Sequence, residues 1–205
     1  MIDLPTRSVG ATVLCAVAVA CSLGPRPDSS RFYVLTSLAE AGPRAAAPPA
    51  DRLALGVGPI TLPGYLTRGT VVTRLGPNRV VFSGVDRWGE PLDRAFARTL
   101  AENLGVLVGT DRVRFYPWYA SEPIDFQVTV DVARFERDSA GSVELRARWT
   151  VRDVEGVERA GGRAAIREPA DDASTGAAVA AQSRALAELS REIAEAIRAA
   201  RRSGR

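Results

Sequence analysis

The sequence predicts an α/β (more narrowly α+β) sandwich, in which a mixed, largely antiparallel sheet is covered by two main amphipathic helices. Three observations carry this prediction. Apolar residues recur at helical spacing over 92–107 and again over 174–202. Apolar and polar residues alternate strictly over 126–132 and 143–151, the pattern of strands with one buried face. Several short β-rich runs, punctuated by Gly and Pro, precede the first helix. Hydrophobic residues make up 46% and charged residues 25% of the 205, the composition of a folded globular chain. No internal repeat is evident, and one domain over 32–205 is expected.

Ahead of that domain lies a twelve-residue apolar run, Val9 to Ala20, behind a short segment carrying Arg7. Small residues, Ala18-Val19-Ala20, then lead to Cys21 and Ser22. This is the layout of an export signal with a cleavage site. As a helix the run reaches roughly 18 Å against a hydrocarbon core of roughly 30 Å, so it suits removal better than retention. Cys15 follows Leu14, whereas Cys21 follows the small Ala20, so residues 1–20 are read as a lipoprotein signal peptide and Cys21 as the acylated residue. An ordinary secreted protein, or an uncleaved anchor, is the alternative. Three acyl chains on one cysteine would hold the chain on a membrane permanently, since each buried methylene contributes about 0.8 kcal/mol. Residues 21–31, with Pro, Ser and Gly, form a flexible tether.

The elements of the domain follow in order. Phe32 to Leu35 is a short strand, then Ala39 to Asp51 is a low-complexity loop of Ala and Pro. Leu53 to Ile60 is a strand with Leu53, Leu55 and Val57 on one face; Gly56 and Gly58 on the other mark a close neighbour. Leu62 to Arg68 is a turn. Gly69 to Arg74 and Arg79 to Phe82 are strands joined at Gly76-Pro77-Asn78. Trp88-Gly89-Glu90 leads to Pro91 as first residue of a helix, with Leu92, Phe96, Leu100, Leu104 and Leu107 as its apolar stripe and Gly109 as its stop. Val113 to Tyr116 is a brief strand. Phe126 to Val132 alternates, and the slip at Phe135 predicts a bulge. Ser139-Ala140-Gly141 turns into the strand Val143 to Val151, which carries Trp149 on its buried face, and a third strand around Arg163 to Arg167 completes a meander. The last helix, Ser174 to Arg202, has Ser174 as N-cap and Arg198, Arg201 and Arg202 at its negative pole.

Much chemistry is excluded by what is missing. The chain has no histidine, so a Ser-His-Asp mechanism is out. With Cys21 acylated and Cys15 removed, the mature domain has no thiol for a disulfide and no His or Cys for zinc. Neither a Gly-x-Ser-x-Gly elbow nor a phosphate loop occurs. Asp171-Asp172 and Glu122 with Asp125 are the remaining acid pairs, and neighbouring loop acids are usually just solvated. No cofactor is expected beyond the covalent lipid. The net charge of +3 is too small and too scattered to indicate nucleic acid. What does stand out is a loop set of large side chains, Tyr65, Leu66, Trp88, Tyr116, Trp118 and Tyr119. Such a set either docks a partner or caps the sheet where the first helix begins.

Leu62-Pro63-Gly64-Tyr65-Leu66-Thr67-Arg68, the paired Val71-Val72 with Arg74, Trp88-Gly89-Glu90-Pro91-Leu92 and Asn103-Leu104 come in an order and spacing that resembles the ABC-type transport auxiliary lipoproteins, the PqiC-like or YmbA-like proteins. Phe32-Tyr33-Val34-Leu35 matches the aromatic-Tyr-x-Leu strand near their lipidated end. Thr67 departs from the acidic residue many members place before the arginine. The resemblance implies a non-catalytic periplasmic α/β domain that works with an MCE-domain protein and a membrane transporter component in intermembrane lipid transport, with a homo-oligomeric ring as one arrangement. With the loop aromatics available for docking, Tyr65, Leu66, Arg68, Trp88 and Pro91 are the expected partner-binding residues. Ser22 after the cysteine, in place of Asp, favours the outer membrane under the sorting rule of such lipoproteins. The alternative from a different class is a structural envelope-assembly lipoprotein with a Tol-like α/β module, unrelated to transport.

Overall fold

The computed structural model describes residues 28–40, 53–118 and 123–203. The export signal, Cys21, residues 22–27 of the tether, most of the Ala/Pro loop, Tyr119 and Glu122 lie outside the described residues. The elements run β1 (Arg31–Tyr33), β2 (Leu55–Thr61), β3 (Thr70–Gly76), β4 (Arg79–Trp88), α1 (Leu92–Val108), β5 (Val113–Phe115), β6 (Phe126–Asp138), β7 (Ser142–Asp153), β8 (Glu158–Pro169) and α2 (Thr175–Ser203). Together they make a curled mixed sheet of eight strands with two helices, the predicted class.

The antiparallel meander β6–β7–β8 is the backbone of the sheet, and its alternation is what the sequence displays. Val143, Leu145, Ala147, Trp149 and Val151 all point into the core, where Val151, Trp149 and Ala147 stand opposite Val128, Val130 and Val132 and Leu145 opposite Phe135. The predicted bulge is present: the register passes from Val132↔Ala147 to Arg134↔Arg146, leaving Ala133 as the extra residue. That slip turns Phe135 inward, where its ring meets Phe96 of α1 edge-on at 5.2 Å between centroids. β8 is longer than expected, because its small residues carry little alternation: Gly161 and Gly162 lie beneath and beside Trp149.

β6 also has a second edge, and two strands share it in succession. β2 runs parallel to its first half, as far as Thr61↔Asp131, and β3 runs parallel to its end, from Thr73↔Arg137. The chain therefore leaves the edge of β6 after β2, makes an excursion through residues 62–69, and returns to the same edge as β3. Beyond β3 come β4, antiparallel, and β1, parallel to β4; β5 lies parallel to β2 on the other flank.

Both helices pack against one face of this sheet and against each other, burying Leu92, Phe96, Leu100 and Leu104 of α1 with Leu186, Leu189, Ile193 and Ile197 of α2. Gly109 ends α1 in the left-handed conformation, φ 79°, and its N–H reaches the Gly105 carbonyl. Pro91 stands one place earlier than expected: with φ −52° and ψ 128° it is the cap residue outside the helix, and Leu92 is the first helical residue. Ser174 caps α2 as predicted, its Oγ accepting the Ala177 N–H at 3.1 Å. Among the described residues, no helix is long and apolar enough to cross a membrane.

Candidate functional site

The excursion between β2 and β3 builds a small polar lock. Its turn is closed by the Leu66 N–H on the Pro63 carbonyl at 2.9 Å and by the Thr67 hydroxyl on the Gly64 carbonyl at 3.1 Å. Tyr65 is thereby laid over the end of β6, where its hydroxyl donates to Glu136 Oε2 at 3.0 Å. Arg74 of β3 donates from Nε to Glu136 Oε1 at 2.6 Å and from Nη2 to the Tyr65 hydroxyl at 3.2 Å. The Phe135 N–H donates to Glu136 Oε2 at 2.9 Å, and Arg74 Nη1 reaches the Pro77 carbonyl in the β3–β4 turn. Glu136 is only 1% exposed, so its carboxylate is held by protein donors alone. Burial raises the Tyr65 hydroxyl pKa, with the Glu136 charge adding to it. Burial opposes the charged form of Arg74, yet hydrogen bonds to Glu136 and Tyr65 prevail and hold its pKa above the ordinary value.

Beside the lock lies an exposed corner. Arg68 projects from the excursion with its guanidinium carbon 5.1 Å from the centroid of the Phe82 ring on β4. The same strand and its neighbour β1 expose Val81, Val85 and Phe32, the last 65% exposed, and Val34 follows just beyond β1. The Trp88 N–H on the Gly69 carbonyl (3.0 Å) and the Gly89 N–H on the Tyr33 carbonyl (2.8 Å) tie excursion, β4 and β1 together. Beneath them Asp86 accepts from Arg31 Nε (2.7 Å), Ser83 Oγ (3.0 Å) and Thr175 Oγ1 (2.7 Å), linking the strand next to the tether with the start of α2.

The five residues expected to bind a partner are thus brought to one region, but they divide. Arg68 and Pro91 are exposed. Leu66 and Trp88, 2% and 6% exposed, are core residues, and Tyr65 is half-buried in the lock. The expectation that Leu66 and Trp88 bind a partner is therefore corrected to the capping role, whereas Tyr65 is part-exposed. Leu66 is turned inward by the tight turn, and Trp88 is the last residue of β4 rather than part of a loop. Phe82, Glu136 and Asp86 are not among the residues the sequence singles out, and Phe32 is there only as part of a strand motif. The uninterrupted apolar run Val80-Val81-Phe82, too apolar for a strand near a sheet margin, was the available signal for Phe82.

A second aromatic group lies across the sheet. Tyr116 and Trp118 meet edge-on at 5.5 Å, above Gly58 and Gly56, where any Cβ would come within 2.7 Å of Tyr116 and 3.0 Å of Trp118. The close neighbours predicted for these glycines are this pair together with Ile124, whose Cδ1 would stand 2.8 Å from a Cβ at Gly56.

Of the acids considered for catalysis, two serve the backbone and Asp171 faces Arg184 at 3.6 Å. Asp125 accepts the Ala54 N–H at 2.7 Å, and Asp172 accepts the Ser174 N–H at 2.6 Å. Among the described residues no three His, Cys, Asp or Glu side chains gather as a metal site.

The model of the ABC-type transport auxiliary lipoprotein component family matches residues 33–194. The chain belongs to that family. The match spans every element from the end of β1 to most of α2, including the lock and the corner. A protein from Xanthomonas campestris carrying the family model DUF330 shares the fold at a TM-score of 0.69 and 17% identity, over 86% of this chain and all (100%) of that one. A crystal structure described as an uncharacterized protein superposes at 0.68 and 20% identity, over 82% of this chain and 98% of that one. A PelC dodecamer from Paraburkholderia phytofirmans is more distant, at 0.43 and 10% identity over 72% and 92% of the two chains. Among curated proteins no relative matches. As a member of the family, the chain is an auxiliary component of a transport system, associated with the envelope.

Proposed function

We propose that the chain is a non-catalytic subunit of an MCE-type lipid transport system, anchored through Cys21 in the outer membrane and docking the periplasmic MCE assembly through the β1–β4–β3 corner. The observation that carries this reading is the Arg68–Phe82 stack, exposed on a corner that the buried Glu136 lock holds in place. Arginine and aromatic side chains on a rigid surface are the usual anchors of an interface. Phe32, which the register through Arg87 and Thr70 puts on the same face as Phe82, extends the apolar area, and Pro91 is exposed three residues after Trp88, the end of β4. The lock supplies what an anchor needs, a fixed backbone, so little freedom is lost on binding.

The test is co-purification of the MCE-domain protein with the full chain from membranes. Phe82→Ala and Arg68→Glu are each expected to weaken association by about 2 kcal/mol, about thirtyfold, while the melting temperature stays near that of the parent. Undiminished capture by both variants would remove the corner from the interface.

A further inference from the structure

A groove of about 410 Å³ runs along α2 and shares no residue with the corner. One wall is the segment Thr36–Leu38, which is strapped to the helix. The Thr36 N–H donates to Ser183 Oγ at 3.1 Å. The Leu38 N–H donates to Asn103 Oδ1 at 2.7 Å, and Asn103 Nδ2 in turn donates to Ser190 Oγ at 3.1 Å. The strap therefore follows α2 from Ser183 to Ser190, roughly 10 Å along its axis. The floor is apolar and shallow because Ala180 and Ala187 offer only methyl groups, with Leu38 closing the side. Arg184 and Arg191, two turns apart on the same helix face, stand at its margins.

Two features point to a ligand. Ser37 is 1% exposed and lines the groove, yet its hydroxyl has no hydrogen-bond partner. Its backbone is occupied, the N–H with Glu40 Oε2 and the carbonyl with the Glu40 N–H, so the free group is the side chain alone. A buried hydroxyl without a partner is destabilising, and an oxygen-bearing ligand would offset that cost. The charges at the two ends also differ. Arg184 is engaged by Glu168 at 3.4 Å, Asp171 at 3.6 Å and the Pro169 carbonyl at 2.6 Å. Among the described residues Arg191 pairs with Glu188, a half-exposed pairing of the kind that contributes little. The Arg191 end thus has room for a further anion, and the Arg184 end does not.

We infer that this groove binds a single-chain anionic amphiphile, its hydrocarbon along Leu38, Ala180 and Ala187 and its carboxylate or phosphate at Arg191 with Ser37. The two head groups share one chemistry here, and the source is either a free fatty acid or a lysophospholipid. The experiment uses the purified full chain in a non-ionic detergent, titrated with the fluorescent fatty acid cis-parinarate and then competed with oleate, oleoyl lysophosphatidate or monooleoylglycerol. Saturable one-to-one binding is expected, displaced by either anion and about tenfold less well by the uncharged monooleoylglycerol. Arg191→Glu should weaken cis-parinarate by about tenfold or more, and Ala180→Trp, at an exposed position that tolerates bulk, should remove binding with the melting temperature unchanged. Tighter competition by lysophosphatidate supports a phospholipid source, and tighter competition by oleate a free fatty acid. Absence of saturable binding, equal competition by monooleoylglycerol, or binding unchanged in both variants would overturn the inference. Co-purification of the MCE-domain partner with these variants is unaffected in the docking reading, so either reading can fail alone.

Discussion

Glu136 occupies a position where the β6–β7 register directs side chains away from the helices, opposite Glu144, yet it is among the most buried polar residues of the chain. The excursion carrying Tyr65 and Leu66 covers it. A buried ion pair of this kind contributes little net stability against an apolar replacement, but removing one partner leaves the other stranded. Glu136→Ala is therefore expected to lower the unfolding free energy by about 3–5 kcal/mol, because Arg74 loses its counter-ion. Tyr65→Phe removes one of several donors and should cost about 1–3 kcal/mol. Chemical denaturation of the two variants checks both the size and the order. Asp86 makes a second prediction at this scale. Burial would raise its pKa, but hydrogen bonds from Thr175, Ser83 and Arg31 overcome that and hold it below the ordinary carboxylate value. Its contribution is thus complete above the unfolded value of about 3.9 and is lost as pH falls from there through the lower folded value. Asp86→Asn should reduce stability at neutral pH and flatten the acid limb of the parent's stability curve below about pH 4. An acid limb as steep as the parent's would show that Asp86 does not supply it.

At the scale of elements, the pairing of β7 with the edge strand β8 depends on one close approach. A Cβ added at Gly162 would stand 2.8 Å from the Trp149 ring, which lies across the glycine. Trp149→Ala should cost about 3–5 kcal/mol through lost burial and the cavity left behind. Gly162→Val should also destabilise, by forcing the indole from its place, while the double variant should cost less than the sum of the two because the added methyls enter the space the indole leaves. Thermal unfolding of the three proteins measures that coupling, and strict additivity would show that the two residues do not share the space. The same elements explain what could be read in advance. α1, α2 and the β6–β7 hairpin were legible because each declares its buried face within one segment, as in the Leu92 to Leu107 stripe and the Phe135 slip. Leu66 and Trp88 were misplaced because their burial depends on distant partners. Trp88 is drawn into β4 by the parallel strand β1 and by the Gly69 carbonyl, and neither pairing leaves a local pattern. The covering of Glu136 likewise needs the return of β3 to the edge that β2 has left, a fact of topology that no window of sequence contains.

For the whole molecule, the proposed anchor at Cys21 and the proposed docking corner are close in sequence. Arg31 opens β1 ten residues after Cys21, and its guanidinium holds Asp86, which also receives Thr175 at the start of α2. Ten residues at about 3.3 Å each let the domain stand up to roughly 33 Å from a bilayer, while β1 fixes which side of the domain faces the tether. The exposed corner of Phe32 and Phe82 is on that tethered side, because β1 and β4 are adjacent strands. If acylation of Cys21 sets the position of the corner, Cys21→Ala should release the chain from the membrane fraction or leave it uncleaved, since the other thiol, Cys15, follows the bulky Leu14. Fold and corner would be intact in that variant, so purified Cys21→Ala protein should still capture the MCE-domain partner in solution while failing to support envelope integrity in cells. Palmitate labelling and membrane fractionation measure the first effect, and co-purification with a growth test in detergent measures the second. Continued palmitate labelling of the variant would place the lipid elsewhere. Full function in a released chain would mean that the corner acts without the membrane, and the path from Cys21 through Arg31 to Asp86 would then be a matter of folding alone.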